Sequence, residues 1–223
     1  MGGGVLEAEG SMARSWPRRG DAALVLLVTA LVFLPGVFGG FVNWDDDRNF
    51  LQNLDYRGLG WANLRWMLTT SHMGPWAPLS WVTLGADYLL WGMRPRGYHL
   101  TSLLFHSAAA ALFLLVARRL LRVAQPGAPE GALRIGAVGA ALLFAVHPLR
   151  AESVVWITER RDVVSGAFYM LTVLAYLRAV ERRQAGAPPG AFYGASLACF
   201  AAAVAAKSMV VSLPAVLLIL DVY

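Results

Sequence analysis

Apolar stretches close to membrane-spanning length, each cut off by a cluster of arginines or a proline break, recur from residue 22 to the end of the chain. A helix needs about 20 mostly apolar residues to cross the hydrocarbon core, where backbone without internal partners is not tolerated. The pattern therefore predicts an all-α, polytopic transmembrane protein. Six segments qualify, over residues 22–41, 98–116, 135–146, 163–177, 192–206 and 209–221. Charged residues make up only 15% of the chain, against roughly 25% in soluble proteins, which argues against an ordinary cytosolic enzyme. The net charge of +5 does not indicate nucleic acid, because the arginines sit at the edges of apolar runs rather than along one face. Cys199 is the single cysteine, so an internal disulfide and a cysteine-based metal site are both excluded.

Arg14, Arg18 and Arg19 precede the first run. By the positive-inside tendency they place residues 1–21 in the cytoplasm as a leader and residues 22–223 in the membrane domain. Arg118, Arg119 and Arg122, and later Arg178, Arg182 and Arg183, then mark returns to the cytoplasmic face. Lys plus Arg divides 10 inside to 9 outside, so placement against the span ends, not the total, carries the topology. An excess of arginine on the outer face calls for a ligand such as phosphate.

Residues 42–97 form a first outer loop too long for a simple connection, and it holds six of the eight tryptophans. Trp61, Leu64 and Leu68, and then Trp76, Leu79, Thr83 and Ala86, recur at helical spacing. That suggests short helices lying in the bilayer interface. The competing reading is an outer subdomain with a tryptophan core.

Asp45, Asp46 and Asp47 follow the first span where the chain emerges outside. Three adjacent carboxylates repel one another, so at least one needs a partner or a raised pKa. A carboxylate held between a sugar donor and an acceptor hydroxyl can take the proton as the hydroxyl attacks the anomeric carbon; a solvated helix-capping turn is the plain alternative. Arg150 and Arg160 can clamp a phosphate, with Glu152 and Asp162 orienting them, or they can simply pair with those acids. Lys207 stands in an apolar stretch, where it either snorkels or meets a lipid phosphate. His147-Pro148 breaks the third span. His99 lies near the outer end of its span and within reach of the site. His106, seven residues on, is about 10 Å deeper and suits a helix–helix hydrogen bond. An aspartate run can hold a divalent cation through oxygen ligands, but alone it does not define a site, so no metal ligand is assigned and metal use stays open.

Taken in order, Phe41-Val42-Asn43-Trp44-Asp45-Asp46, Asn53, Pro78-Leu79, Tyr98-His99 with His106, His147-Pro148, Glu152, Arg160, Asp162, Ala206-Lys207 and Asp221 resemble the membrane half of the transmembrane and tetratricopeptide-repeat-containing O-mannosyltransferases. The resemblance implies a GT-C fold with an extracytoplasmic active site in the first outer loop. It also implies transfer of a mannose-like sugar, with inversion, from a polyprenyl-phosphate carrier to a Ser or Thr hydroxyl of a protein acceptor. By position, Asp45 and Asp46 match the catalytic acidic pair, with Asp45 the favoured base. Arg150, Arg160 and Lys207 are the candidates for the carrier phosphate, supported by His99, His147, Glu152 and Asp162. Integral membrane localisation follows, in a bacterial inner membrane or its equivalent, with membrane lipid, the lipid-linked donor and the acceptor protein as partners. Similar proteins continue with further spans and a repeat array, so the chain is expected to correspond to the N-terminal membrane part. A non-catalytic membrane module and a transporter of lipid-linked sugar are the alternatives from other classes.

Overall fold

The computed structural model describes residues 19–222, and among them every regular element is helical. The helices are α1 (Arg19–Val37), α2 (Trp61–Thr69), α3 (Pro78–Trp91), α4 (Pro95–Ala124), α5 (Glu130–Val146), α6 (Arg150–Val155), α7 (Arg160–Gln184), α8 (Gly190–Ala206) and α9 (Leu213–Val222). A π-helical turn covers Asp47–Leu51, and short 3-10 turns precede α7 and α9. Most of the predicted leader lies outside the described residues.

Helices α1, α4 and the segment Ile157–Gln184 around α7 are long and apolar enough to cross a membrane. The other three expected spans are shorter. Helices α5 and α8 have 17 residues each, about 25 Å at 1.5 Å per residue against a core of about 30 Å. Pro148 stops α5 by the expected route, since proline disfavours helix in the residue before it. At Lys207 the backbone turns extended, with φ −154° and ψ 120°, and ends α8.

Small residues bring the helices together. Ala137, Ala141 and Ala145 repeat every four residues along one face of α5 and pack on Ala110, Leu114 and Ala117 of α4 and Val25 of α1. Such close backbone approach drives association in lipid, where apolar burial between helices gains little. His106 sits in this seam, its Nε2 donating to Ala145 O at 2.8 Å, the helix–helix bond that its depth suggests. Helix α7 packs on α4 and α8.

The polar contacts gather at the two helix ends. At one end Arg134 pairs with Asp21, Arg118 and Arg122 with Glu130, and Arg119 with Glu181. At the other, the long loop continues from α1 and folds over the ends of α4, α7 and α8. That loop has its own core of Phe50, Tyr56, Met67, Trp81 and Leu84, closed from below by Tyr98 and Ile157. The loop thus has the tryptophan core of the subdomain reading in Trp81, which is buried, while Trp61 and Trp44 are 79% and 71% exposed.

Helix α3 crosses the loop core at Gly85. A Cβ there would lie 2.7 Å from Gly58 O, 2.7 Å from Met67 Cε and 3.0 Å from Tyr56 O. Glycine to alanine in a helix interior ordinarily stabilises by about 0.5–1 kcal/mol, and Gly139 of α5, with open space around it, should follow that rule or be neutral. Gly85→Ala should instead destabilise by about 1–3 kcal/mol through overpacking. Thermal unfolding of both variants in detergent checks the contrast; an unchanged or raised midpoint for Gly85→Ala contradicts the packing described.

Candidate active site

The chain leaves α1 at Val37 and reaches the acidic run within eight residues, where it makes a three-residue γ-turn. Asp46 N–H donates to Trp44 O at 2.8 Å, and Asp45 at the apex has φ +66°. This left-handed conformation is uncommon outside glycine, asparagine and aspartate, and the turn of this hand is rare and strained. It persists because both flanks are anchored. Trp156 Nε1 donates to Trp44 O at 3.2 Å, and Asn49 N–H to Asp45 O at 2.8 Å.

The two neighbouring carboxylates have different fates. Asp46 is 1% exposed and fully engaged. Its Oδ1 accepts from Thr158 N–H at 3.2 Å and from Thr158 Oγ1 at 2.7 Å, and its Oδ2 from Val42 N–H at 3.0 Å. Thr158 Oγ1 in turn accepts from Asn49 Nδ2 at 3.1 Å, so one threonine ties the acidic turn to the approach of α7. Burial raises the Asp46 pKa above its ordinary 3.8, against the lowering effect of the bonds from Thr158 and Val42. Asp45 is half-buried and lines a narrow cleft shared with Asn49, His72, Thr158, Arg160 and Arg161.

Arg160 is fully buried, at 0% exposure. Its Nη2 donates to Asp87 Oδ2 at 2.7 Å and to Tyr98 O at 2.6 Å, and its Nε to Ser102 Oγ at 2.9 Å; Nη1 has no partner. Asp87 also accepts from Thr101 Oγ1 at 2.8 Å. Removing either member of such a pair leaves an uncompensated charge in the interior, at about 3–5 kcal/mol. Arg161, beside it, is paired with Glu159 and feels the charge of Asp45.

Lys207 does not stand alone. Its Nζ pairs with Glu159 and with Asp162, whose other oxygen accepts from Ser153 Oγ at 2.9 Å. His99 is buried under the acidic turn, with Nε2 3.4 Å from Gly40 O. Arg150, His147 and Glu152 lie apart. Arg150 stacks 4.4 Å over the Phe144 ring, His147 is exposed with Nδ1 accepting from Leu149 N–H at 3.3 Å, and Glu152 is exposed. Of the residues singled out from the sequence, Asp45 and Arg160 share the cleft. Asp46, His99, Asp162 and Lys207 brace it without lining it.

Three further residues matter here. Thr158 and Arg161 carry no sequence signal strong enough to single them out. Asp87 does carry one, because an acid alone on an otherwise apolar helix calls for a buried partner. Among the described residues no group of three or more His, Cys, Asp or Glu side chains is placed to hold a metal ion.

Protein O-mannosyl-transferase Tmtc1 of Drosophila melanogaster is 36% identical over 164 residues, which is 70% of this chain and 18% of that protein. The chain is homologous to the TMTC proteins. Protein O-mannosyl-transferase Tmtc2 of the same fly is 33% identical over 167 residues, and TMTC4 of Homo sapiens 31% over 186 residues, covering 17% and 25% of those proteins. The chain thus spans about a fifth of the length of the curated TMTC relatives it matches. No protein-family model and no solved structure matches it.

The raised pKa of Asp46 sets a sign. A carboxyl whose folded value lies above its unfolded one contributes its full stability below pH 3.8 and loses it as pH rises through the raised value. Asp46→Asn cannot ionise and gives up the bond from Val42. The stability of the wild type relative to Asp46→Asn should therefore fall as pH rises through that window, measured by thermal unfolding of both proteins; a rise over the same interval contradicts the burial argument.

Proposed function

We propose that this chain carries the catalytic loop of a membrane glycosyltransferase that moves a mannose-like sugar from a polyprenyl-phosphate carrier to a Ser or Thr hydroxyl of a protein. The names of its relatives support protein O-mannosylation. The observation that carries the reading is the division of labour between the adjacent aspartates: Asp46 is tied by three hydrogen bonds, and Asp45 is presented on a strained turn into a cleft with two arginines.

Asp45 takes the hydroxyl proton as the acceptor oxygen bonds to the anomeric carbon, and the bond from that carbon to the carrier phosphate oxygen breaks with inversion. The polyprenyl phosphate leaves with the bonding electrons. Arg161 and the unpartnered Nη1 of Arg160 receive the charge that grows on it, since guanidinium donors match phosphate oxygens. Arg150 and Lys207 do not line this cleft, so the phosphate is assigned to the other two. In this reading the loop faces the extracytoplasmic side.

Full-length protein given a polyprenyl-phosphate mannose and a Ser/Thr peptide provides the assay. Asp45→Asn should lower kcat by about 100-fold or more, the scale of a lost general base, while its unfolding midpoint stays at the wild-type value. Activity within about threefold of wild type, under about 1 kcal/mol of barrier, rules out Asp45 as the base and favours a non-catalytic membrane module.

A further inference from the structure

A second, wider cleft of about 510 Å³ adjoins the first, and His72 and Met73 line both. Every residue around it belongs to the loop between the first two spans and none to a spanning helix. Its ligand therefore approaches from water rather than from lipid. Arg48 and Asp55 on its walls carry opposite charges, so it does not select an anion.

Two of its side chains hold polar atoms with nothing to bond. Asn53 is 7% exposed; its Oδ1 accepts from Asp55 N–H at 2.9 Å, which fixes the amide, and its Nδ2 has no partner. The His72 ring stands against Trp66 and Trp81, each 5.8 Å away between centroids, and its buried Nε2 has no partner either. Buried polar groups in folded proteins are almost always satisfied, and each exception calls for a partner or another physical reason. A fixed amide donor suits a carbonyl oxygen, and an imidazole nitrogen can meet an N–H or a C=O. Uncharged carbonyls and N–H groups on a water-borne ligand are the chemistry of an extended peptide backbone.

We infer that this cleft is the acceptor-polypeptide subsite, with Asn53 and His72 holding the main chain so that a Ser or Thr hydroxyl reaches Asp45. The inference rests on the transferase reading above but is tested by binding. A benzophenone side chain placed at Leu54, which lines the cleft and is 66% exposed, in the full-length protein should cross-link synthetic Ser/Thr peptides and not polyprenyl-phosphate mannose. Asn53→Asp keeps the acceptor for Asp55 N–H and removes the free donor, and His72→Phe keeps the ring contacts. With unfolding midpoints at the wild-type value, each should cut the peptide yield about tenfold, the scale of one lost hydrogen bond. Cross-linking of the lipid instead, no peptide capture, or undiminished capture in both variants overturns the subsite. Peptide capture by a protein that transfers no sugar supports the subsite and rejects the transferase reading.

Discussion

The buried ion pair between Arg160 and Asp87 organises the end of the molecule that carries the long loop. It joins the first residue of α7 to α3, a helix of the long loop, and its hydrogen bonds to Ser102 Oγ and Tyr98 O bring in α4. Two full charges out of water are costly, and the geometry must be good to offset them. Here Asp87 has a second donor in Thr101, and three of the five Arg160 donors are engaged. With the start of α7 fixed, Thr158 two residues earlier is fixed as well, and Thr158 holds Asp46. The orientation of Asp45 is thus inherited from a contact between helices far away in sequence.

Adjacent carboxylates at one membrane boundary would repel if both were buried and ionised. The fold separates them by environment. Asp46 takes the interior position, its acceptors filled by Thr158 and Val42, while Asp45 keeps a half-buried place facing Arg161. Two adjacent acids thus sit in different surroundings, the kind of difference by which paired carboxylates divide work in many active sites. Around them Arg161, Glu159, Lys207, Asp162 and Ser153 form a continuous polar chain that ties the end of α8 to the start of α7. Lys207 in this role is a brace between helices, which explains an ammonium group in an apolar stretch.

The helical class, the arginine-marked turns and the acidic run beside the first span were all legible in the sequence, because each depends on local pattern and length. The break at His147-Pro148 was legible for the same reason. Span lengths were less so: α4 runs from Pro95 to Ala124 and α7 to Gln184, past the arginines that mark the end of the apolar run, because helix continues into the polar boundary. The loop's inner core was half legible. Tryptophan density signals both interface and core, and only the three-dimensional packing separates Trp81 from Trp61. Within the site, residue types pointed to Asp45, Asp46, Arg150, Arg160 and Lys207 alike, but nothing local distinguishes Asp45 from Asp46 or reveals that Lys207 meets Glu159 from 48 residues away. Arg150 and Arg160 look alike in sequence, yet one stacks on Phe144 and the other is buried in an ion pair.

Catalysis by Asp45 requires that the turn carrying it lie on the side of the membrane opposite the N-terminus. Asn43, exposed and two residues ahead of Asp45, offers the most direct test. In full-length protein otherwise free of cysteine, with Cys199→Ser among the changes, Asn43→Cys should react with a membrane-impermeant maleimide in right-side-out vesicles and stay protected in inverted ones. Labelling in inverted vesicles alone would place the acidic turn in the cytoplasm and contradict the mechanism.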